Sequence, residues 1–405
     1  MAEKSESVTS AASLQPELWT SSANDVLKIF ITDPNGAISF PPIFTYPLFG
    51  DSETIYGYQD LVIYLCFDHL TFRPFLNVKY TNKLEDDQII DVKETMLKVL
   101  PESVIYKDEL KWVDKVNEEK KSYKIPGEIF DSFEKNGEKF TIYKINLRSV
   151  EGIELHKRLQ ILVLFFIEAG SYIDVSDPFW NLYILYKHGE SEQSSSVVGF
   201  VTAYNYWTYP GHKKFDEDIK QTRTKISQMI ILPNHQGKGL GGSFYSSLYT
   251  KWHTEPQVYE IVVEDPNEAF DDLRDRSDLQ LLKKAFDINK ITTATITKSW
   301  INTTRLQLKL DKRQFSRLLE MILLYNVNHG GSDTKKAVRL FIKKRLYENN
   351  KDGLLSLDDP TRRDKLQTAY VSLELDYYRI LGNMLLAPAK RAASPVDTGP
   401  KRHHL

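Results

Sequence analysis

Apolar and polar positions alternate with the two-residue period of strands near the start of the chain. Residues 26–32, 60–68 and 72–80 are rich in β-branched and aromatic side chains and bounded by turn formers, so each predicts a strand. Over 91–100 the period lengthens to that of a short amphipathic helix, ended by Pro101. The charged run 114–124 predicts a boundary. Strand and helix signals then alternate. A strand is expected over 139–147, a helix over 151–168, two consecutive strands over 180–187 and 195–207, and a strand over 225–232. A helix over 239–253, a strand over 258–263 and a helix from Asn267 follow. Antiparallel strands running into a β–α–β–α unit predict an α/β (α+β) fold, a mixed central sheet flanked by helices. Farther on, apolar residues recur at helical spacing over 313–325, 333–347 and 362–385, which predicts a helical bundle. The expected organisation is a tail (1–21), a β-rich domain (22–124), an α/β domain (125–299), a helical domain (300–386) and a second tail (387–405), with no internal repeat.

Composition narrows the chemistry. Cys66 is the one cysteine among 405 residues, so neither an intrachain disulfide nor a Cys-rich zinc site can be built, and no metal is expected. It lies in the apolar run 61–67, which suits core packing better than a covalent acyl intermediate. A net charge of −2 supplies no global basic field for nucleic acid. The longest strongly apolar stretch, 161–167, is too short to span a bilayer, and the polar start lacks the apolar centre of a signal peptide. A soluble, intracellular protein is expected. The last residues carry two basic pairs, Lys390-Arg391 and Lys401-Arg402, which read as a solvated tail or an aid to nuclear import.

The informative stretch is 227–243, SQMIILPNHQGKGLGGS, an apolar strand running into a Gly-rich turn and then a helix. Glycines let a backbone approach an anion closely. The first turn of a helix offers unpaired N–H groups and a positive dipole end. Together they suit a phosphate or pyrophosphate. The turn lacks the Gly-Lys-Ser/Thr ending of a Walker loop and does not fit the dinucleotide fingerprint G-x-G-x-x-G. Its Gln236-x-x-Gly239-x-Gly241 spacing resembles the pyrophosphate signature of the GNAT acetyltransferases. His235 reads as a phosphate donor or as a turn residue facing solvent.

A second segment sharpens the resemblance. The strand over 258–263 ends in Glu264-Asp265-Pro266-Asn267-Glu268-Ala269-Phe270-Asp271-Asp272-Leu273-Arg274-Asp275. In open α/β sheets ligands bind at that end of a strand. This run resembles the catalytic segment of the type B histone acetyltransferase catalytic subunits. So do 227–242, 165–175 (FFIEAGSYIDV), 201–206 (VTAYNY) and 48–54 (LFGDSET) with Gly57-Tyr58. The likeness spans 47–287, weakens in the helical region and is absent from the tails.

That resemblance implies a histone lysine acetyltransferase using acetyl-CoA, with direct attack in a ternary complex. A free lysine needs about 4 kcal/mol to become the neutral nucleophile near pH 7.4, and a base beside it lowers the barrier. By the Glu-Asp-Pro motif Glu264 is the expected base, with Asp265 assisting if the strand ends there. Glu168 is a third candidate, either set against the apolar run before it, which would raise its pKa, or facing water at the helix end. The resemblance gives main-chain contacts to the acetyl and pantetheine arm from Met229, Ile230 and Ile231. It gives a pyrophosphate cradle from Gln236, Gly237, Lys238, Gly239, Leu240, Gly241 and Gly242, and a flank to the thiol end from Asn267 and Phe270. Trp180, Tyr204, Asn205 and Tyr206 match positions that receive the histone tail, and Asp51, Ser52 and Glu53 match a second tail-contacting patch. Nine acids against two basic residues over 254–280 would form an acidic rim for a basic tail, or a solvated helix face. The implied substrate is the N-terminal tail of newly made histone four. The implied partner is a WD-repeat histone chaperone meeting the polar stretch 209–221, and the setting is cytoplasm and nucleus. Two other readings remain: a non-catalytic scaffold that binds acyl-CoA and histone, and a GNAT enzyme with another acceptor.

Overall fold

The computed structural model of the chain describes residues 15–33 and 36–385. Most of both expected tails lies outside them. Residues from 15 onward are already built into the fold, with Trp19 buried and Thr20–Ser22 paired with Thr54–Tyr56. The chain divides into two compact units between Asp265 and Pro266.

The first unit holds two main sheets. One contains β1 (Leu27–Asp33), β2 (Gly36–Phe40), β3 (Val62–Asp68), β4 (Pro74–Lys79) and β5 (Ile105–Tyr106), in the order β2-β1-β3-β4-β5. The helix expected over 91–100 is α1 (Val92–Val99), whose first turn is capped by Asp91 accepting from the Glu94 N–H at 3.0 Å. The charged run expected as a boundary is instead the body of α2 (Glu109–Lys120). Its Trp112 and Val116 pack with Phe75 and Ile105. Its Glu119 bridges Arg73 at 2.6 Å and the nearly buried Arg158 at 2.8 Å. Those arginines come from distant segments, so the run looks unpartnered when read locally.

The second sheet runs in chain order: β6 (Glu128–Lys135), β7 (Glu138–Ile145), β8 (Trp180–Lys187), β9 (Ser196–Trp207), β10 (Thr222–Ile231) and β11 (Val258–Val263). Neighbours are antiparallel except β10 and β11, which run parallel around the crossover helix α5 (Leu240–Thr254). This is the expected mixed α/β sheet. The helix expected over 151–168 is two helices, α3 (Val150–Leu159) and α4 (Ile161–Phe166), separated at Gln160. One hydrophobic cluster includes Ile63 and Phe67 from the first sheet and Phe165, Tyr186 and Phe200 from the second region, so the core runs through 124/125 without a break.

The second unit is helical: α6 (Glu268–Ala285), α7 (Lys298–Gln307), α8 (Lys312–Asn328), α9 (Lys335–Asn349) and α10 (Asp359–Leu385), with shorter turns between. Helix α8 is its centre, burying Phe315, Leu318, Met321, Ile322 and Leu323. It also buries Glu320, which accepts from Arg345 at 2.6 and 2.8 Å and from the Tyr377 hydroxyl at 2.9 Å. A buried carboxylate survives because its acceptor sites are filled by charged and polar donors.

Candidate active site

Strand register aligns one row of side chains. Trp180 on β8 pairs with Tyr204 on β9, Tyr204 with Lys225 on β10, and Lys225 with Val262 on β11. Residues two apart on a strand share a face, so Glu264, just past the end of β11, follows Val262 onto the face of this row. The contacts agree. Trp180 and Tyr204 meet edge to face at 4.9 Å, Tyr206 stacks beside Tyr204, and the Lys225 ammonium lies 6.0 Å from the Tyr204 ring centre. The Tyr204 hydroxyl donates to Asp177 at 2.9 Å. Asn205 departs from the expected set. It falls between Tyr204 and Tyr206, pairs with the buried Thr224 and therefore takes the opposite face.

Glu264 is the most constrained candidate. Its backbone N–H donates to the Ile226 carbonyl at 2.9 Å, the last link joining β11 to β10. Its carboxylate accepts from Lys225 Nζ at 2.5 Å and from the Ser227 hydroxyl. Burial pushes the carboxyl up, but the hydrogen bonds from Lys225 and Ser227 and the Lys225 charge outweigh it and hold it below the ordinary value. It is therefore ionised at neutral pH and 40% exposed, reachable from solvent. Asp265 is also exposed and has a left-handed φ of 34°, so the strand does end there, as the Glu-Asp-Pro motif requires.

Beyond Ile226 the two parallel strands part. Among the described residues, 228–231 pair only with β9, leaving the other backbone edge open. A register shift at Thr202/Ala203 on β9 makes Ser227 the extra residue of a bulge beside Glu264. Lys225, Ser227, Met229 and Ile231 are half-buried on one face, while Ile226, Gln228 and Ile230 are the buried face. Main-chain groups of Met229–Ile231 can thus meet a ligand while Ile230 packs in the core.

The open edge leads to the Gly-rich turn. The Gln236 side chain donates to the Ile231 carbonyl at 2.7 Å. Gly237 and Gly239 have φ of 73° and 71°, and Gly239 caps α5 without any side-chain acceptor for the first N–H groups. Leu240 is buried, whereas Gly241 and Gly242 keep the first turn bare of side chains. This geometry fits a pyrophosphate: glycines where close approach is needed and free donors at a 15-residue helix's positive end. Lys238 is exposed and donates to the Asn234 carbonyl at 3.1 Å. Burial and the Lys238 charge push His235 down to about 4, so its ring is neutral.

Glu168 lies in an exposed turn past the end of α4. The apolar setting expected for it is absent, because the helix stops at Phe166 and the chain turns at Ala169, whose φ is 54°. The turn is nonetheless tied to the site: the Gln228 amide on β10 donates to the Ser171 carbonyl at 2.7 Å. The Ala169 N–H donates to the Tyr46 hydroxyl at 2.5 Å, bringing in the loop that carries 51–53. There Asp51 and Ser52 are exposed. The Glu53 carboxylate is spent internally, accepting from Thr45 N at 2.5 Å, Tyr46 N at 3.0 Å and Asn24 at 3.0 Å. The Thr45 hydrogen bond foremost holds its carboxyl below the usual range. It shapes the loop, leaving Asp51 and Ser52 as that loop's outward polar groups.

Asn267 and Phe270 belong to the second unit, where Asn267 caps α6 by accepting from the Phe270 N–H at 2.9 Å. The acidic rim is largely neutralised there. Asp271 pairs with Arg313, Asp272 with Arg379, and the buried Asp275 with Arg317. These arginines lie 42 to 107 residues away in sequence, so local charge counting overstates the free acidity.

Three polar residues of the site escape sequence reasoning. Lys225 and Ser227 share the face of Met229, a signal that alternation along β10 carries. Lys135 on β6 donates to the Gly239 carbonyl at 2.6 Å and the Ser243 hydroxyl at 2.8 Å, putting a cation at the Gly-rich turn. Its strand carries no distinguishing pattern.

Comparison with known proteins adds an independent finding. The family model described as histone acetyl transferase HAT1 N-terminus matches residues 19–168, and that of the fungal HAT1 C-terminal region matches 275–328. The histone acetyltransferase type B catalytic subunit of Candida albicans is 59% identical over 393 residues, covering 95% of this chain and 94% of the relative. That of Debaryomyces hansenii is 57% identical over 396 residues, covering 97% and 96%. That of Kluyveromyces lactis is 42% identical over 388 residues, covering 93% and 95%. Among solved structures, an aminoglycoside acetyltransferase from an uncultured soil metagenomic sample aligns with a TM-score of 0.24 at 15% identity, covering 36% of this chain and 86% of that one.

Proposed function

Because the chain belongs to the family of histone acetyltransferase type B catalytic subunits, we propose that it transfers acetyl from acetyl-CoA to lysines in the N-terminal tail of newly made histone four. The observation that carries this reading is the Glu264 carboxylate, ionised at the end of β11, beside the open edge of β10 and in line with the Trp180–Tyr204 row.

The acceptor lysine lays its aliphatic stem along Trp180, Tyr204 and Tyr206, which suits a long apolar stem with a charged tip. Its ammonium meets Glu264, which takes the proton and frees the lone pair. That step offsets the cost of about 4 kcal/mol set by the lysine pKa. Asp265, adjacent and exposed, assists, and Glu168, on the turn tied to β10 through Ser171, is the third candidate carboxylate. Acetyl-CoA supplies a thioester already activated for attack, so no covalent enzyme intermediate is needed. Backbone N–H groups on the open edge at Met229–Ile231 hold the carbonyl oxygen as charge develops on it. The first turn of α5, with Gln236, Gly237, Lys238, Gly239, Leu240, Gly241 and Gly242, holds the pyrophosphate. Asp51 and Ser52 contact the tail farther along.

A WD-repeat histone chaperone is the partner in this reading, and cytoplasm and nucleus are its setting. The stretch 209–221 supports a docking site. Trp207, Tyr209 and Phe215 are each more than half exposed and form a chain of rings 6.1 and 5.7 Å apart. Exposed aromatic clusters of this kind mark protein contacts.

The test is acetyl transfer from labelled acetyl-CoA to a histone-four tail peptide, with wild type and Glu264→Gln compared across pH. The reading expects kcat to fall by roughly 10²–10⁴ in the variant with acetyl-CoA affinity kept. A fully active variant would remove Glu264 from the role, and a wild type that binds acetyl-CoA without acetylating the peptide would move the acceptor elsewhere.

A further inference from the structure

Lys225 takes no step of the transfer above beyond its ion pair with Glu264, yet it holds the position that reaction reserves for the acceptor. Its Nζ lies 2.5 Å from Oε1 of Glu264 and 6.0 Å from the Tyr204 ring centre. An acceptor lysine must satisfy the same two conditions: an amine within hydrogen-bond reach of the base and a place beside the aromatic wall. Two ammonium groups cannot both occupy that point. Until a substrate lysine displaces it, the amine nearest the base belongs to the enzyme. Lys225 is also 27% exposed, so its head is not sealed from a second reactant. It shares its strand face with Ser227 and Met229, next to the backbone edge left open where β10 and β11 part.

We propose that Lys225 is a built-in acceptor, and that without a substrate tail the protein acetylates itself there. The proposal rests on the acetyl-transfer reading. Glu264 takes a proton from the Lys225 ammonium. The freed nitrogen lone pair attacks the thioester carbonyl of acetyl-CoA, a C–N bond forms and the C–S bond breaks; the second proton shed by the nitrogen goes to the departing CoA thiolate, and the first passes from Glu264 to solvent. The products are Nε-acetyl-Lys225 and CoA, with no oxidant or further reactant. The modified side chain is neutral, loses its ion pair with Glu264 and sits against Tyr204 in the acceptor channel. Self-acetylation therefore acts as a brake that a bound tail prevents.

The experiment incubates the full chain with acetyl-CoA alone, or with a histone-four tail peptide added, and follows acetylation of each lysine by peptide mass spectrometry. Lys225 should be labelled with time, at least tenfold faster than the exposed Lys238 and Lys251. Saturating peptide should slow it at least tenfold, and Glu264→Gln should abolish it while acetyl-CoA still binds. Lys225→Arg should lose that one mark, which assigns the labelled peptide to Lys225. After preincubation with acetyl-CoA, the initial rate on peptide should fall in step with Lys225 occupancy. An unmodified Lys225 beside an acetylated peptide overturns this proposal alone. Labelling spread evenly over exposed lysines, or unchanged in Glu264→Gln, is chemical acetylation and overturns it too. If neither Lys225 nor the peptide is acetylated, the acetyl-transfer reading falls and takes this one with it.

Discussion

Gly239 gives the sharpest test of the Gly-rich turn, because Gly237 is a matched control. Both have left-handed φ, 71° and 73°. An alanine at either position carries the strain of that conformation, about 1–2 kcal/mol. The surroundings differ. A Cβ on Gly237 meets nothing within 4 Å, whereas one on Gly239 lies 2.8 Å from Lys135 Nζ and 3.3 Å from its Cε. The lysine tip can swing away, but it then gives up its bonds to the Gly239 carbonyl and the Ser243 hydroxyl. For a partly exposed cation that loss is about 1 kcal/mol. Gly237→Ala should therefore cost about 1–2 kcal/mol of stability and Gly239→Ala about 2–3 kcal/mol. Only the latter sits at the cap of α5. If its backbone flips to relieve strain, the first-turn N–H groups are re-aimed and acetyl-CoA affinity should fall about tenfold, worth 1.4 kcal/mol. Calorimetric titration with acetyl-CoA and denaturant melts of wild type, both alanine variants and Gly239→Asn would decide. Asparagine tolerates the left-handed region and should recover part of the loss. Equal effects at 237 and 239, or wild-type binding by Gly239→Ala, would refute the assignment of Lys135 and the cap.

Two further outcomes bear on stability. Burial pushes His156 down to about 4 from its ordinary 6.5, and its Nδ1 finds no partner among the described residues. A depressed pKa means the unfolded chain binds the extra proton, so stability is intact above about 6.5 and drains as pH falls towards 4. That difference is worth about 3 kcal/mol, and His156→Gln should flatten that share of the slope in chemical denaturation from pH 7 to 4. Glu320→Ala should destabilise the helical unit by about 3–5 kcal/mol, by stranding Arg345. Replacing Glu320 and Arg345 together by apolar residues should cost far less, and equal losses in the two variants would argue against the ion pair as the cause.

The parts of the fold legible beforehand are those specified within a few residues. The strand–turn–helix at 227–243 could be read from alternation followed by glycines, and the turn's chemistry from the same letters. The end of β11 could be read from Pro266. What stayed hidden depends on partners far along the chain. Helix α2 looked like a linker because the arginines that engage Glu119 are at 73 and 158. The acidic stretch looked free because Arg313, Arg317 and Arg379 lie in later helices. Alternation puts Lys225 on the face of Met229, but its partner Glu264 comes beside it only through parallel pairing. The end of α4 at Phe166 left no mark in an apolar run that continues through Ile167, and it is what leaves Glu168 in water.

The row from Trp180 to Glu264 also constrains how the gene can vary in length. A single codon inserted within β9 or β10 would turn every residue beyond it to the other side of the sheet. Tyr204 or Lys225 would then be carried away from Glu264. Codons added between Trp207 and Thr222, or between Thr254 and Val258, would lengthen a connection and leave the register untouched. Alleles of this enzyme should therefore accumulate insertions at those two connections and stay fixed in length along the strands.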